Sequence, residues 1–269
     1  MTGFAPEWLT LREPADHAAV NHAVRRALLT HLAGRDEVSV IDFGCGTGSN
    51  FRGLAPEIPG RQHWTLVDHD SRLLERAATL TGDIAAATGA TAYPLEADLA
   101  TDDIRALAAD NDLVTAAALF DLVSQNRIVE MASAIAATGA AFYTVLTFDG
   151  IASWLPETPL AASLRHAFNR HQATDKGFGP AAGPDASRYL ARAFEAAGYT
   201  VITGRSPWVL DDDFIALRRE TDRGWVAASV EMDEITVEDG EAWLDARAND
   251  PDAVTIVGHI DLIALPPAV

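Results

Sequence analysis

Apolar positions recur at helical spacing over residues 15–32, through Ala19, Val20, Ala23, Val24, Ala27 and Leu28, and Gly34 stands just past the end. That period predicts one amphipathic helix closed by a glycine. Residues 38–43 form a short β-branched run that stops at a glycine cluster, the mark of a buried strand. The same alternation continues downstream. Strands are predicted at 63–67, 92–96, 113–118 and 141–148, and helices at 70–80, 101–109 and 128–138. Strand–helix alternation of this kind predicts a mostly parallel sheet with helices on both faces.

The rhythm breaks after Asp149. Residues 150–184 hold four prolines and four glycines around one helical stretch, 160–171. A loop this long inside a compact domain is a lid or a disordered segment, and Trp154, Phe168 and Phe178 argue for a lid. The pattern then resumes with a helix at 185–197 before Gly198, a strand at 199–210 interrupted at Pro207, a helix at 211–228 and a last strand at 254–265. Two late strands fit an antiparallel pair added to the sheet. One domain over 1–269 is expected, with a helical cap (1–34), a cofactor core (35–149), a substrate-side insertion (150–184) and the rest of the sheet (185–269).

Composition narrows the partners. The 269 residues carry 20 Lys and Arg against 39 Asp and Glu, a formal charge of −19. Such a field repels phosphate backbones and anionic lipid, so a small-molecule substrate is expected, with neither nucleic acid nor membrane as partner. A single cysteine, Cys45, rules out an intrachain disulfide. No apolar run reaches the roughly 18 residues of a membrane-crossing helix. Charges and prolines occupy the place of a signal peptide's apolar stretch. A cytoplasmic bacterial enzyme, monomeric or homodimeric, is the expectation.

The strongest local signal is Val40-Ile41-Asp42-Phe43-Gly44-Cys45-Gly46-Thr47-Gly48, a buried strand running into a glycine loop. Glycines let backbone approach a ligand closely. A tight strand–helix turn is the plain reading, and two cofactor classes compete with it. The dinucleotide fingerprint needs G-x-G-x-x-G, but here the third glycine comes one place early, at Gly48. Asp42, just before the first glycine, suits a cationic amino-acid ligand better than a pyrophosphate. Asp68 follows the second strand, where a carboxylate can accept both ribose hydroxyls. Asp98 follows the third, where one can accept from an adenine amino group.

These residues resemble the successive motifs of class I S-adenosylmethionine-dependent methyltransferases: IDFGCGTG, LVDHD, EADL and DLVTAAALFDLVS. The likeness is close over 38–148. It implies a Rossmann-like seven-stranded, mostly parallel α/β sheet of order 3-2-1-4-5-7-6 with the last strand antiparallel. It also implies S-adenosyl-L-methionine as cofactor. On that resemblance Gly44, Gly46 and Gly48 line the methionine portion, Asp68 holds the ribose and His69 flanks the adenine. Asp98 and Leu99 contact the base, and Leu119 and Phe120 lie beside the sulfonium. Arg12 is a partner for the cofactor carboxylate or a surface arginine. An NAD(P)-dependent oxidoreductase and a non-catalytic S-adenosylmethionine-binding protein remain the alternatives.

Methyl transfer needs alignment and exclusion of water, and a base only where the acceptor must lose a proton. The fourth strand leads into Leu119-Phe120-Asp121-Leu122, which is not the signature of enzymes acting on DNA bases or glutamine amides. Asp121 is an acceptor contact or a helix cap. Asp149 and Trp154 follow the fifth strand as substrate candidates, with a turn residue the plain reading of Asp149. The insertion supplies Asn169, Gln172, Lys176 and Phe178 as further substrate contacts, or as a knot of loop hydrogen bonds. His171 is its base candidate, because imidazole titrates near neutrality. The acidic clusters at 211–213 and 231–241 read as solvated faces or helix-start charges, not metal sites.

Overall fold

A computed structural model of the chain describes residues 4–267. The chain runs α1 (Pro6–Ala19), α2 (His22–Leu32), β1 (Glu37–Phe43), α3 (Ser49–Leu54), β2 (Arg61–Asp68), α4 (Ser71–Leu80), α5 (Gly82–Thr88) and β3 (Thr91–Glu96). It continues through α6 (Ile104–Ala108), β4 (Leu113–Ala117), α7 (Gln125–Ala136), β5 (Ala141–Leu155) and α8 (Ala161–Gln172). It ends with α9 (Ala186–Ala196), β6 (Thr200–Arg205), β7 (Trp208–Leu210), α10 (Ile215–Glu231), α11 (Val237–Ala248) and β8 (Val254–Leu265).

The sheet order is β3-β2-β1-β4-β5-β8-β6, with β7 also pairing β8. The first five strands are parallel, and β8 runs antiparallel to its neighbours. This is the expected order once the predicted strand 199–210 is seen to split into β6 and β7 around Ser206-Pro207. Alternation along each central strand feeds two cores. Val38, Val40, Tyr143 and Val145 join one face with α2 and α3, through Leu28, Leu32, Phe51 and Leu54. Ile41, Phe43 and Phe142 join the other with α6, α7 and α9, through Ile104, Met131, Ile135, Leu190 and Phe194. The edge strand β3 tolerates Pro94 because its outer side has no ladder to serve.

The predicted helix 15–32 is two helices. Val20 is extended, and the Asn21 side chain caps α2 by accepting from the backbone N–H groups of Ala23 and Val24. The Asn21 N–H donates to Asp261 Oδ2 at 2.7 Å, which draws the break onto β8. The first helix also starts earlier than periodicity indicates, at Pro6, with proline in its first turn.

Strand β5 overruns its predicted end by seven residues and remains paired with β8 to Leu155. It does so by bulging twice, between Thr144 and Thr147 and between Phe148 and Ala152. Leu146 takes a positive φ of 60° at the first bulge, its N–H held by Asp261 Oδ1 at 2.9 Å. Bulges bend a strand and re-aim its side chains. The segment leaving the sheet therefore begins at Pro156, not at Gly150.

Candidate active site

One cavity of about 940 Å³ opens at the C-terminal ends of the parallel strands. Gly44 and Gly46 form its floor with φ of 64° and 54°. A Cβ on Gly44 would stand 3.2 Å from Leu119 Cδ1, and one on Gly46 3.2 Å from Leu9 Cδ1, so helix α1 closes over the loop. Gly48 does another job. It lies outside the cavity lining, and a Cβ there would meet Thr81 Cγ2 at 2.8 Å, so its smallness serves packing of the loop.

Two carboxylates meet at this floor. Asp68 accepts from the N–H of Gly46 at 2.9 Å and from that of Asp70 at 3.0 Å, which fixes its orientation and leaves lone pairs for a ligand. His69 lies beside it, Nδ1 to Oδ1 3.4 Å. Asp42 is fully buried. Its Oδ1 accepts from Asn50 at 2.8 Å, while Oδ2 has no partner among the described residues. Burial pushes its pKa up to about 7, Asn50 opposes the shift and nearby Asp68 adds to it. Buried Thr47 Oγ1 is unpartnered beside them. An acceptor-rich floor with orphaned oxygens fits an ammonium and a diol, the polar groups of an adenosyl amino acid.

Asp98 and Leu99 line the same cavity, on a loop that Arg127 pins by donating to the Leu99 carbonyl at 2.8 Å and the Asp102 carbonyl at 2.9 Å. One Asp98 oxygen is taken by the N–H of Ala100. Ala118, Leu119 and Asp121 form the wall after β4. Ala118 holds a positive φ of 49°, a second strained residue at this wall besides Leu146. Phe120 points away, into the opposite core, edge-on to Phe142 at 5.3 Å.

The far end of the cavity is aromatic. Trp8, Phe148, Phe168, Trp208 and Trp225 line it, with Phe168 stacked on Trp225 at 3.8 Å and Phe148 edge-on to Phe168 at 5.4 Å. Asp121 faces this chamber as a buried carboxyl whose Oδ1 has no partner. Burial raises its pKa to about 6, against the pull of Arg12. Arg12 itself grips Asp16 through Nε at 2.9 Å and Nη2 at 3.2 Å and lies over the Trp208 ring at 4.9 Å. Trp208 Nε1 donates to the same Asp16 at 3.0 Å. Among the described residues Nη1 of Arg12 takes no partner, so it is the one guanidinium nitrogen left for a ligand.

The insertion brings His171, Gln172, Lys176 and Phe178 to the cavity wall. His171 is half-buried, 3.5 Å from Glu231, with Nδ1 unpartnered. Burial and Lys176 lower its pKa. Lys176 is the only lysine of the chain, half-buried, and burial lowers its pKa too. The Asp175 carboxylate shapes this loop by accepting from the N–H groups of Gly177 and Gly179. Ala182 N–H then docks it on the Val123 carbonyl at 2.8 Å.

Three substrate candidates lie elsewhere. Trp154 is a core residue, edge-on to Trp225 and Trp243, its indole donating to buried Asp222. Asp149 caps the second bulge through Ile151 N–H and packs on Gly258, the turn role of its plain reading. Asn169 ties α8 to β5 by donating to the Gly150 carbonyl at 3.1 Å. Residue reasoning missed the aromatic partners and one polar group, His259, which sits in the chamber wall. A histidine inside the apolar run Ile256-Val257-Gly258-His259-Ile260 was the available signal.

Residues 40–139 match the family model described as a methyltransferase domain. No curated protein matches the chain in sequence. Among solved structures, the YcgJ protein of Bacillus subtilis is similar at a TM-score of 0.52 and 14% identity, covering 92% of this chain and 100% of that one. The small RNA methyltransferase HEN1 gives 0.50 at 13% identity, over 90% of this chain and 25% of that one. A SAM-dependent methyltransferase of Geobacter sulfurreducens, solved with S-adenosyl-L-homocysteine, gives 0.46 at 15% identity, over 98% and 99%. Residues 40–139 thus carry a methyltransferase domain, and the sheet order together with the likeness to YcgJ shows a Rossmann-like fold. The dinucleotide alternative falls with that match. No helix among the described residues is long and apolar enough to cross a membrane.

Proposed function

We propose that the enzyme methylates a small molecule held in the aromatic chamber, and that Asp121 is the group that receives the acceptor's proton. The observation carrying this reading is the continuity of one cavity from the glycine floor to a chamber walled by aromatics, with a buried, unpartnered carboxyl oxygen at the junction. S-adenosylmethionine supplies a methyl group already activated on a sulfonium, so the protein has to align, desolvate and, for a protonated acceptor, deprotonate. Asp42 Oδ2 and Asp68 would hold the ammonium and the ribose hydroxyls. Leu119 would press on the reacting end, and Asp98 and Leu99 on the base. Helix α1 and the loop docked on Val123 exclude water. A chamber walled by aromatics and a charge of −19 favour a small acceptor over a nucleic acid.

Asp121 is a better base than His171. It is fully buried at the wall following β4, and its pKa of about 6 lies near the operating range of a general base. His171 sits further out beside Glu231. Mass spectrometry of ligand carried through purification identifies the acceptor. With it in hand, Asp121→Asn is expected to cut turnover by about 10² to 10⁴, the range for general-base help, and to remove an acidic limb near pH 6. His171→Ala is expected to keep that limb. The opposite pattern transfers the role to His171, and a nicotinamide in the mass spectrum overturns the whole reading.

A further inference from the structure

His259 belongs to none of the motifs that bind the cofactor. It stands on β8 directly opposite Phe148 in the β5–β8 register, in the wall of the aromatic chamber. Its ring is edge-on to Trp208 at 5.2 Å and faces Phe148 at 6.5 Å. It is 5% exposed, and its Nδ1 has no hydrogen-bond partner among the described residues. The ring also meets the Ser206 backbone, but a buried imidazole nitrogen left unpartnered is costly unless a ligand completes it. Thr221 Oγ1, also in the chamber lining, and Asp121 Oδ1 are orphaned in the same way. Three unpartnered polar atoms among aromatic rings describe a planar ligand with few polar substituents.

The charge state says which substituent. Burial and the Arg12 guanidinium push His259 down to about 3, so it is a neutral imidazole over the working range. A neutral imidazole offers one donor and one acceptor, as a hydroxyl does. An ammonium offers donors only, and Arg12 beside it disfavours a cation. A carboxylate offers acceptors only, and would meet unpartnered Asp121 oxygen. We infer that His259 is a positioning residue for the acceptor, and that the acceptor class is a planar aromatic molecule bearing a neutral hydroxyl held between the imidazole and Asp121. This rests on the methyltransferase reading above, so the test separates the two.

Fluorine NMR titrations in the presence of S-adenosyl-L-homocysteine compare 4-fluorophenol, fluorobenzene and 4-fluorobenzylamine, and calorimetry follows S-adenosyl-L-homocysteine itself. The wild type is expected to bind the phenol about tenfold tighter than fluorobenzene, the equivalent of one net hydrogen bond, with the benzylamine weakest. His259→Leu is expected to erase the phenol's preference and keep the homocysteine affinity. His259→Asn, which restores a donor and an acceptor, is expected to recover part of the preference and carries the comparison if the leucine variant does not fold. A preference unchanged in either variant, no preference in the wild type, or tighter binding of the benzylamine overturns the inference. Failure of the wild type to bind S-adenosyl-L-homocysteine overturns the methyltransferase reading instead.

Discussion

Asp42 is the residue whose chemistry the rest of the floor depends on. Its carboxyl is buried with one oxygen satisfied by Asn50 and the other open, and its pKa stands near 7. An arriving ammonium favours the ionised form and so lowers that pKa. Binding at pH 7 should then release about half a proton, because the free group is about half protonated there. At pH 9 the group is already ionised and release should approach zero. Calorimetry of S-adenosyl-L-homocysteine in buffers of different ionisation enthalpy measures this number, and Asp42→Asn should abolish it. For stability the sign is the reverse. A carboxyl raised in the fold favours the empty protein below the unfolded pKa, and that contribution is lost as pH rises toward 7. Asp42, Asp68, Gly44, Gly46, Asp98 and Leu119 were picked out in the sequence because each lies at or within three residues of a strand's C-terminal end, and all six line the cavity. Phe120 and Trp154 were picked out too but do not line it, since the face a side chain takes is fixed by packing and strand register, not by adjacency. His259 was hidden for the complementary reason, that its neighbours come from β5, β7 and α1.

At the scale of elements, most strands and helices were readable from periodicity, and two of the departures share a cause. Both sit where a hydrogen bond from distant chain intervenes. Asp261 splits the first predicted helix by drawing in Asn21 N–H, and the same carboxylate holds the Leu146 bulge that lets β5 run on. The acidic stretch at 231–241 was read as helix-start charge or solvated face, and Glu238 and Asp239 do occupy the first turn of α11, capped by Thr236. The insertion is now bounded as 156–182, with α8 against α10 and its far end pinned to Val123. Its helix α8 seats Ala161, Leu164 and Phe168 in the core, whereas much of the loop after it is exposed and belongs to the less stable part of the fold. Amide exchange over 156–182 is expected to slow when S-adenosyl-L-homocysteine and the acceptor bind together, while β1 and β4 change little. Unaltered exchange there would make the segment scaffold.

Across the whole molecule, the late strands and helices are joined by one buried ion pair. Arg247 of α11 meets Asp222 of α10 at 2.8 Å, and also donates to the Leu155 and Val254 carbonyls and to Thr255 Oγ1. Trp154 and Thr255 complete the shell around Asp222. Removing one partner strands the other charge, so Arg247→Ala is expected to cost about 3 to 5 kcal/mol, read by urea denaturation. Cofactor affinity should survive in the folded fraction, because the pair lies away from the glycine floor. The sequence disclosed none of this network, whose members are spread from β5 to β8.

The cationic inventory has a practical consequence. Nineteen of the twenty basic residues are arginines, and the twentieth, Lys176, stands half-buried in the wall of the insertion. Its ammonium is more readily deprotonated than an ordinary surface lysine, and a free amine is the form that acylating reagents attack. The chain thus carries one side-chain handle for amine-directed labelling, seated in the cavity wall. A fluorophore or spin label placed there needs no engineered cysteine, and shielding of that amine by bound ligand turns a routine labelling rate into a gauge of how far the chamber has closed.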